Sequence, residues 1–453
     1  MKKIVMICAF AAMLTGCSLY SKYQRPRMDD MVNRLYQPSK DGDTTSIAML
    51  EWEDLFTDER LQSLIRAGLR YNTDLRIARL KVVEAEATLQ SSKLAYVPSV
   101  TFDADGSVTN YNASSTSLGA TVGFSASWEV DIFGRLTNAK RGAQAALEAS
   151  EAYRQAVQTQ LIATIADGYY TLLMLDEQLS ISRRTLDHWE ENIRALTALK
   201  RAGKTNEAAV LQAKANRLSI EGSVMTLEKQ IAQQQNSLCA LIGITPQQLR
   251  RGSLEEQEFP LELKTGVPVQ LLSHRPDVRQ AEQNLAQAFY ATNAARAEFY
   301  PKLTIGGTLG WSTAGAAISN PGAWLLKAIG DLMQPIFNRG TNKARLRIAE
   351  ARQEQAVLQF RQSLLDAGVE VNNALIQWQT AQERLEVDKK QIVSLRAAVW
   401  NTKLMMKHGL ANYLEVLTAQ QTLLQAELTE ISDRYQEIQG VIQLYHALGG
   451  GIE

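Results

Sequence analysis

From Val100 the chain alternates apolar and polar residues with period two. Val100, Phe102, Ala104, Gly106 and Val108 fall on one face, and Thr101, Asp103, Asp105, Ser107 and Thr109 on the other. From Leu118 the pattern sharpens: Leu118, Ala120, Val122, Phe124, Ala126, Trp128 and Val130 oppose Gly119, Thr121, Gly123, Ser125, Ser127, Glu129 and Asp131. Such alternation predicts strands that are dry on one face and wet on the other. The polar run "YNASSTS" from Tyr111 to Ser117 predicts the turn of a hairpin over 99–132. A second copy starts near Lys302, where Leu303, Ile305, Gly307, Leu309 and Trp311 oppose Lys302, Thr304, Gly306, Thr308 and Ser312. A fourth strand, near Trp324 to Phe337, alternates poorly and completes a hairpin over 302–337.

The second strand holds its alternation for more than twice the usual soluble strand of about 5–6 residues. Membrane barrel strands need about 9–11 tilted residues, apolar towards lipid and polar towards the lumen. Aromatics near the strand ends (Tyr96, Trp128, Phe133, Tyr300, Trp311, Trp324) suit interfacial girdles. Four strands cannot close a barrel, for which roughly eight is the minimum. An open edge facing lipid would leave backbone groups without partners. The expectation is therefore a barrel completed by further copies of the same chain, with Asp103, Asp105, Glu129, Asp131 and Lys302 facing its lumen.

Behind each hairpin the period changes to seven. Ile165, Leu172, Leu179, Leu186 and Ile193 recur in the first copy. In the second, Val357, Leu364, Val371, Trp378, Leu385, Ile392, Val399 and Met406 recur. Each series ends near a glycine, Gly203 or Gly409, and a return helix follows. The first return helix carries Leu211, Leu218, Met225, Ala232 and Cys239, and the second Leu417, Leu424, Ile431, Ile438 and Tyr445. A strict seven-residue repeat predicts coiled-coil packing. Leu136 to Leu199 as one helix would reach ~96 Å, far more than a compact domain needs.

The chain thus reads as a tandem duplication of one unit: strand hairpin, long helix, glycine turn, return helix. "DIFGR" at Asp131 parallels "PIFNR" at Pro335, and "AVLQA" at Ala209 parallels "EVLTA" at Glu415. The expected organisation is a signal peptide over 1–16 and an N-terminal segment over 17–95. Repeat 1 follows over 96–245, with its helix hairpin over 136–242, then a connector over 246–298. Repeat 2 covers 299–449, with its helix hairpin over 342–448, and a tail covers 450–453.

The opening "MKKIVMICAFAAMLTGC" joins Lys2–Lys3 to an apolar run too short to span a bilayer. Its ending, "LTGC", looks like a bacterial lipobox, which makes Cys17 the candidate for lipid attachment after cleavage behind Gly16. Once Cys8 leaves with the signal, Cys239 cannot form an intramolecular disulfide with any other free thiol, so packing must hold the fold. Lys plus Arg equals Asp plus Glu at 48 each, which removes the basic footprint of a nucleic-acid binder.

Catalytic chemistry finds no constellation. "AGKT" at Ala202 ends like a phosphate-binding loop, but Ala198 stands where the earlier glycine is required, and a heptad helix precedes it. His188, His274, His408 and His446 show neither metal-ligand nor triad spacing. No catalytic residue, metal ligand or cofactor is therefore expected, apart from the covalent lipid on Cys17.

Several stretches resemble one known family: "EWEDLFTDERLQSLIRAGLRYNTDLRIA" from Glu51, "SWEVDIFGR" from Ser127, "HRPDVRQAE" from His274, "FYPKLTI" from Phe299 and "PIFNRG" from Pro335. They look like the TolC-like outer-membrane efflux ducts, in their NodT-type lipoprotein branch, across essentially the whole mature chain. The resemblance implies an α+β membrane protein and a homotrimer. Its twelve-stranded β-barrel would sit in the outer membrane of a Gram-negative bacterium and continue into a twelve-helix periplasmic α-barrel, with an equatorial belt around it. It implies a periplasmic adaptor and an inner-membrane RND-type pump as partners, and drugs, toxic small molecules or metal ions as cargo.

In the family, polar and acidic residues at the helix-hairpin tips close the periplasmic end. The matching positions make Glu415 the candidate gate carboxylate, with Thr418 where a second acid is usual and Glu207 as a weaker counterpart in the first tip. Met406 and Ala411 replace the tyrosine and arginine that latch some relatives. Gly203, Lys204, Gly409 and Leu410 are the candidate adaptor contacts. A solvated helix face is the plain alternative for Glu415. For the chain as a whole, the alternatives are a protein-secretion duct of the same fold, a periplasmic adaptor and a structural coiled-coil lipoprotein.

Overall fold

The computed structural model describes residues 22–26, 50–111, 115–257, 259, 275–312 and 323–452. Three helices come first: α1 (Trp52–Leu55), α2 (Glu59–Tyr71) and α3 (Thr73–Leu94). The strands β1 (Ser99–Tyr111) and β2 (Ser115–Val130) lead into α4 (Arg135–Arg201) and α5 (Glu207–Ile242). The order then repeats: α6 (Pro276–Ala297), β3 (Lys302–Ser312), β4 (Ala323–Met333), α7 (Thr341–Lys407) and α8 (Tyr413–Ala447).

The repetition has a fixed stride. The two long helices have 67 residues each and begin 206 positions apart. Glycines with positive φ recur at the same spacing, at Gly134 and Gly340, Gly203 and Gly409, Gly243 and Gly449. Each unit begins earlier than the alternation suggested. The 22-residue helices α3 and α6, 203 positions apart, precede the two hairpins. A polar residue just before each helix clamps the far end of its return helix. Asn72 Nδ2 donates to the Leu241 carbonyl at 2.8 Å, and Arg275 Nη1 to the Ala447 carbonyl at 2.8 Å. The sequence hides this equivalence because one clamp is a neutral amide and the other a guanidinium.

One compact unit comprises residues 80–152 and 279–363 with the N-terminal stretch, and it holds the sheet. Its strands are antiparallel in the order β1-β2-β3-β4. The register lines up Phe102, Phe124, Leu309 and Leu326 in one row, and Thr101, Ser125, Thr308 and Lys327 in the next. The apolar row is open: its members are 62, 56, 52 and 81% exposed. A face of this kind needs a solvent as apolar as itself.

Three strand expectations change. The first hairpin turn is shorter than "YNASSTS", because pairing continues from Ser99↔Ser127 to Tyr111↔Ser115. The fourth strand stops at Met333 rather than Phe337, since Pro335 has no N–H to continue the ladder. Its alternation is weak because Ile329 and Met333 occupy the face that also carries Lys327 and Asp331. The third change concerns Asp131, which is not a lumen-facing strand residue. It lies past the end of β2, and its carboxylate accepts from the Leu136 and Thr137 amides at 2.9 and 2.8 Å and from Thr137 Oγ1 at 2.6 Å. The unpaired N–H groups of α4 claim it as a cap.

The other unit comprises residues 29–79, 153–278 and 364–453. Within it α4 lies between α5 and α8, and α8 in turn meets α7. Arg183 pairs with Glu228 of α5, Gln178 donates to Ser432 of α8 at 3.1 Å, and Arg396 of α7 pairs with Glu427 of α8. Ile165, Leu172, Leu364, Val371, Leu385 and Ile392 are buried, as their seven-residue spacing requires. The seam of α5 runs one residue earlier than expected. Val210, Val224, Ile231 and Leu238 are buried, while Leu211, Leu218 and Met225 are 55, 61 and 62% exposed. Two adjacent heptad series compete on this helix, and only one can face α4. Cys239 is fully buried. Among the described residues no helix is long and apolar enough to cross a membrane.

Candidate functional site

The features that bear on function are the two helix-hairpin tips and the polar face of the sheet. Both tips turn in the same way. Gly203 has φ 70°, with its N–H donating to the Lys200 carbonyl at 3.0 Å and the Lys204 N–H to the Leu199 carbonyl at 2.9 Å. Gly409 has φ 72°, with its N–H donating to Met406 at 3.1 Å and the Leu410 N–H to Met405 at 2.9 Å. Only a residue without Cβ adopts this left-handed bend at little cost. An asparagine then starts each return helix. Asn206 Oδ1 accepts from the Ala209 N–H at 3.0 Å, and Asn412 Oδ1 from the Glu415 N–H at 3.1 Å.

Beyond this common frame the tips differ chemically. In the first, Lys200 and Glu207 form an ion pair across the bend, and the hydrogen bond from Lys200 lowers the Glu207 pKa. Glu207 is thereby tied within its own tip, which departs from its expected part as a second gate carboxylate. In the second, Met406 and Tyr413 stand at those two positions, so no ionic clasp forms. Glu415 instead closes a capping box, with its Oε1 accepting from the Asn412 N–H at 3.4 Å. The sequence carries this signal as "NYLE", an N-cap followed three residues later by glutamate.

Glu415 and Thr418 are exposed, as are Gly203, Lys204, Gly409 and Leu410. The second tip is conspicuously apolar on its surface: Trp400, Leu404, Met405, Leu410 and Leu414 are 69, 47, 43, 73 and 63% exposed. Beneath the tips Leu417 packs into a core with Trp189, Leu196, Val210 and Ala213, and Tyr413 lies against it. Burial raises the Tyr413 pKa, and its hydroxyl has no hydrogen-bond partner.

On the polar face of the sheet, Asp103 Oδ2 accepts from Ser125 Oγ at 2.6 Å, and Asp105 is exposed in register with Thr121. Lys302 is half-buried opposite Met333. Glu129 is bound by both arms of Arg135, at 2.7 and 2.5 Å, so its charge is neutralised where strand meets helix. Cys17 and His274 lie outside the described residues. His188 and His408 are exposed, and His446 is half-buried near Arg275, where desolvation lowers its pKa. Among the described residues no three His, Cys, Asp or Glu side chains gather as a metal site.

Comparison with known proteins gives a consistent result. The family described as outer membrane efflux protein matches in two blocks, residues 64–244 and 267–450. The cation efflux system protein CusC of Escherichia coli O6:H1 is 31% identical over 99% of this chain and 98% of its own length. The probable outer membrane lipoprotein SilC of Salmonella typhimurium is 30% identical over 97 and 96%. A solved structure of CusC superposes with a TM-score of 0.87 at 28% identity, covering 96% of this chain and all of that one.

Proposed function

The chain belongs to the outer membrane efflux protein family, and on that footing we propose that three copies build the exit duct of a tripartite efflux pump. It is an outer-membrane efflux component with the strand-and-helix architecture of that family. Membership sets aside the periplasmic adaptor and the structural lipoprotein as readings. Cys17 anchors the mature protein by a covalent lipid, and a periplasmic adaptor engages the two tips at Gly203, Lys204, Gly409 and Leu410. The adaptor couples the duct to an RND-type pump in the inner membrane. Metal cations or toxic small organic molecules then leave by passive flow. CusC is named for cation efflux, which supports the metal reading, and the pump sets the choice.

The observation that carries the assembly is the open sheet. Strands β1 and β4 are its two edges, and its apolar face is exposed. Edges cannot face hydrocarbon, four strands are too few to close, and three copies bring twelve. In this duct Asp103 and Asp105 face the lumen, and the exposed Glu415 forms one ring of three carboxylates at the periplasmic end. Native mass spectrometry of the full-length protein in detergent should give a trimer. A stable monomer with full strand content would refute the assembly.

A further inference from the structure

Two buried carboxyl groups meet between α7 and α8, far from either tip in sequence. Asp388 is 7% exposed and Asp433 1%, and Asp388 Oδ2 lacks a hydrogen-bond partner. Arg384, one turn before Asp388, reaches Asp433 Oδ2 at 2.9 Å. One exposed cation thus pairs with one of two buried acids. With both acids ionised the cluster holds an uncompensated negative charge, and with one proton it is neutral. Isolated buried charge is expensive, and two adjacent carboxylates cannot both remain ionised cheaply.

The surroundings do not supply the missing cation. Glu430 of α8 faces Asp388 as a third acid: burial and then Asp388 raise its pKa, Glu255 adds to the shift, and Lys389 and Arg434 oppose it. Arg434 is itself engaged by Glu437 at 2.5 Å. Asp433 and Arg384 also line a cavity of about 580 Å³ against α4 and α5. The residues of those helices that line it (Gln178, Ser182, Ser219, Thr226 and Gln230 among them) include no titratable group. Desolvation, followed by the neighbouring Asp388 carboxyl and opposed by Arg384, raises the Asp433 pKa to about 6.

The first repeat shows what packing alone requires. At the 206-residue stride, Gln178, Ser182 and Leu227 occupy the positions of Arg384, Asp388 and Asp433. Neutral side chains satisfy the same site there, so the charged trio adds a property that packing does not need. We propose that Asp388 and Asp433 share one proton across the α7–α8 seam, making this hairpin a clasp that tightens in acid and slackens as pH rises. The folded hairpin binds a proton that the unfolded chain releases nearer pH 4, so this stabilisation is complete at low pH and is lost as pH rises through about 6. The clasp rests on the hairpin alone, and only its effect on the second tip, and so on the bore, rests on the duct reading.

The test uses the full-length trimer with Cys239→Ala and spin labels on cysteines placed at the exposed positions Lys390 and Gln436. Electron–electron distance measurements should give a narrow distribution at about pH 5 and a broad one at about pH 8, with a midpoint near 6. Asp388→Asn and Asp433→Asn should each stay narrow throughout, because one acid then balances Arg384. Arg384→Gln should move the midpoint upward. A pH-independent distribution in the unsubstituted pair, or broadening that survives both Asn variants, overturns the proposal. Infrared titration provides a reading without substitution at the clasp: a protonated-carboxyl band must disappear as pH rises through about 6. Its absence overturns the proposal even where the variants fail to assemble.

Discussion

Placing arginine on either side of one strand separates a membrane sheet from a soluble one. Val122 and Thr121 are neighbours in β2 and point to opposite faces. Val122 pairs in register with Ala104 and Trp311, and Thr121 with Asp105 and Ser312. The strand has 16 residues, of which Val122 is the eighth. At about 3.4 Å per residue and a tilt of about 40°, Val122 stands about 18 Å from one end and about 21 Å from the other. This places it near the middle of an apolar band about 25 Å tall. Val122→Arg should therefore cost about 2–4 kcal/mol per chain, roughly thirty-fold to nearly a thousand-fold in the folding equilibrium. In a trimer the penalty is met three times. Thr121→Arg finds the Asp105 carboxylate across the ladder and water beyond, and should stay within about 0.5 kcal/mol. Equilibrium refolding from urea into lipid vesicles, followed by the heat-modifiable mobility of the trimer, measures both. Equal losses, or a larger loss at Thr121, would show that the apolar face does not meet lipid.

Two further outcomes follow from the same reading. Cys17→Ser should abolish incorporation of radiolabelled palmitate while trimers still form, because the barrel holds the membrane independently of the lipid; trimers lost along with the label would make the anchor essential to assembly. Glu415→Ala should raise leak conductance and reduce cation preference in planar bilayers, since a ring of carboxylates on a pore selects cations. It should also cost about 0.3–1.5 kcal/mol by opening the capping box. Asn412→Ala isolates that second effect: a variant that destabilises without changing the reversal potential assigns the selectivity to the Glu415 charge.

The strands and long helices were legible because each has one period held over many residues. Phe102, Phe124 and Leu309 declared their face by alternation alone. The seam of α5 was not legible, because the series of sevens from Leu211 is apolar throughout while the one from Val210 is broken by Arg217, yet the neighbouring helix takes the broken one. The ends of elements were lost for a different reason. Asp131 continued the alternation of β2, yet the bare amides of α4 compete for its carboxylate, and that contest is invisible in a linear pattern. At the tips the sequence names the residues but not their partners. The pairing of Lys200 with Glu207 depends on how sharply Gly203 reverses the chain. The acids of the α7–α8 seam lie 45 positions apart in sequence and meet only when the hairpin folds.

The stride of 206 residues has a consequence for stoichiometry. In a trimer, features written identically in both copies, such as Gly203 with Gly409 and Asn206 with Asn412, recur six times around the axis. Features that differ, such as the Lys200–Glu207 pair against Met406 and Tyr413, alternate three and three. A partner that reads only the shared turn geometry saturates the duct at six copies. One that needs the ionic tip, or the apolar tip with Leu410 and Leu414, stops at three. The ratio of adaptor to duct in a purified complex thus reports which surface the adaptor recognises.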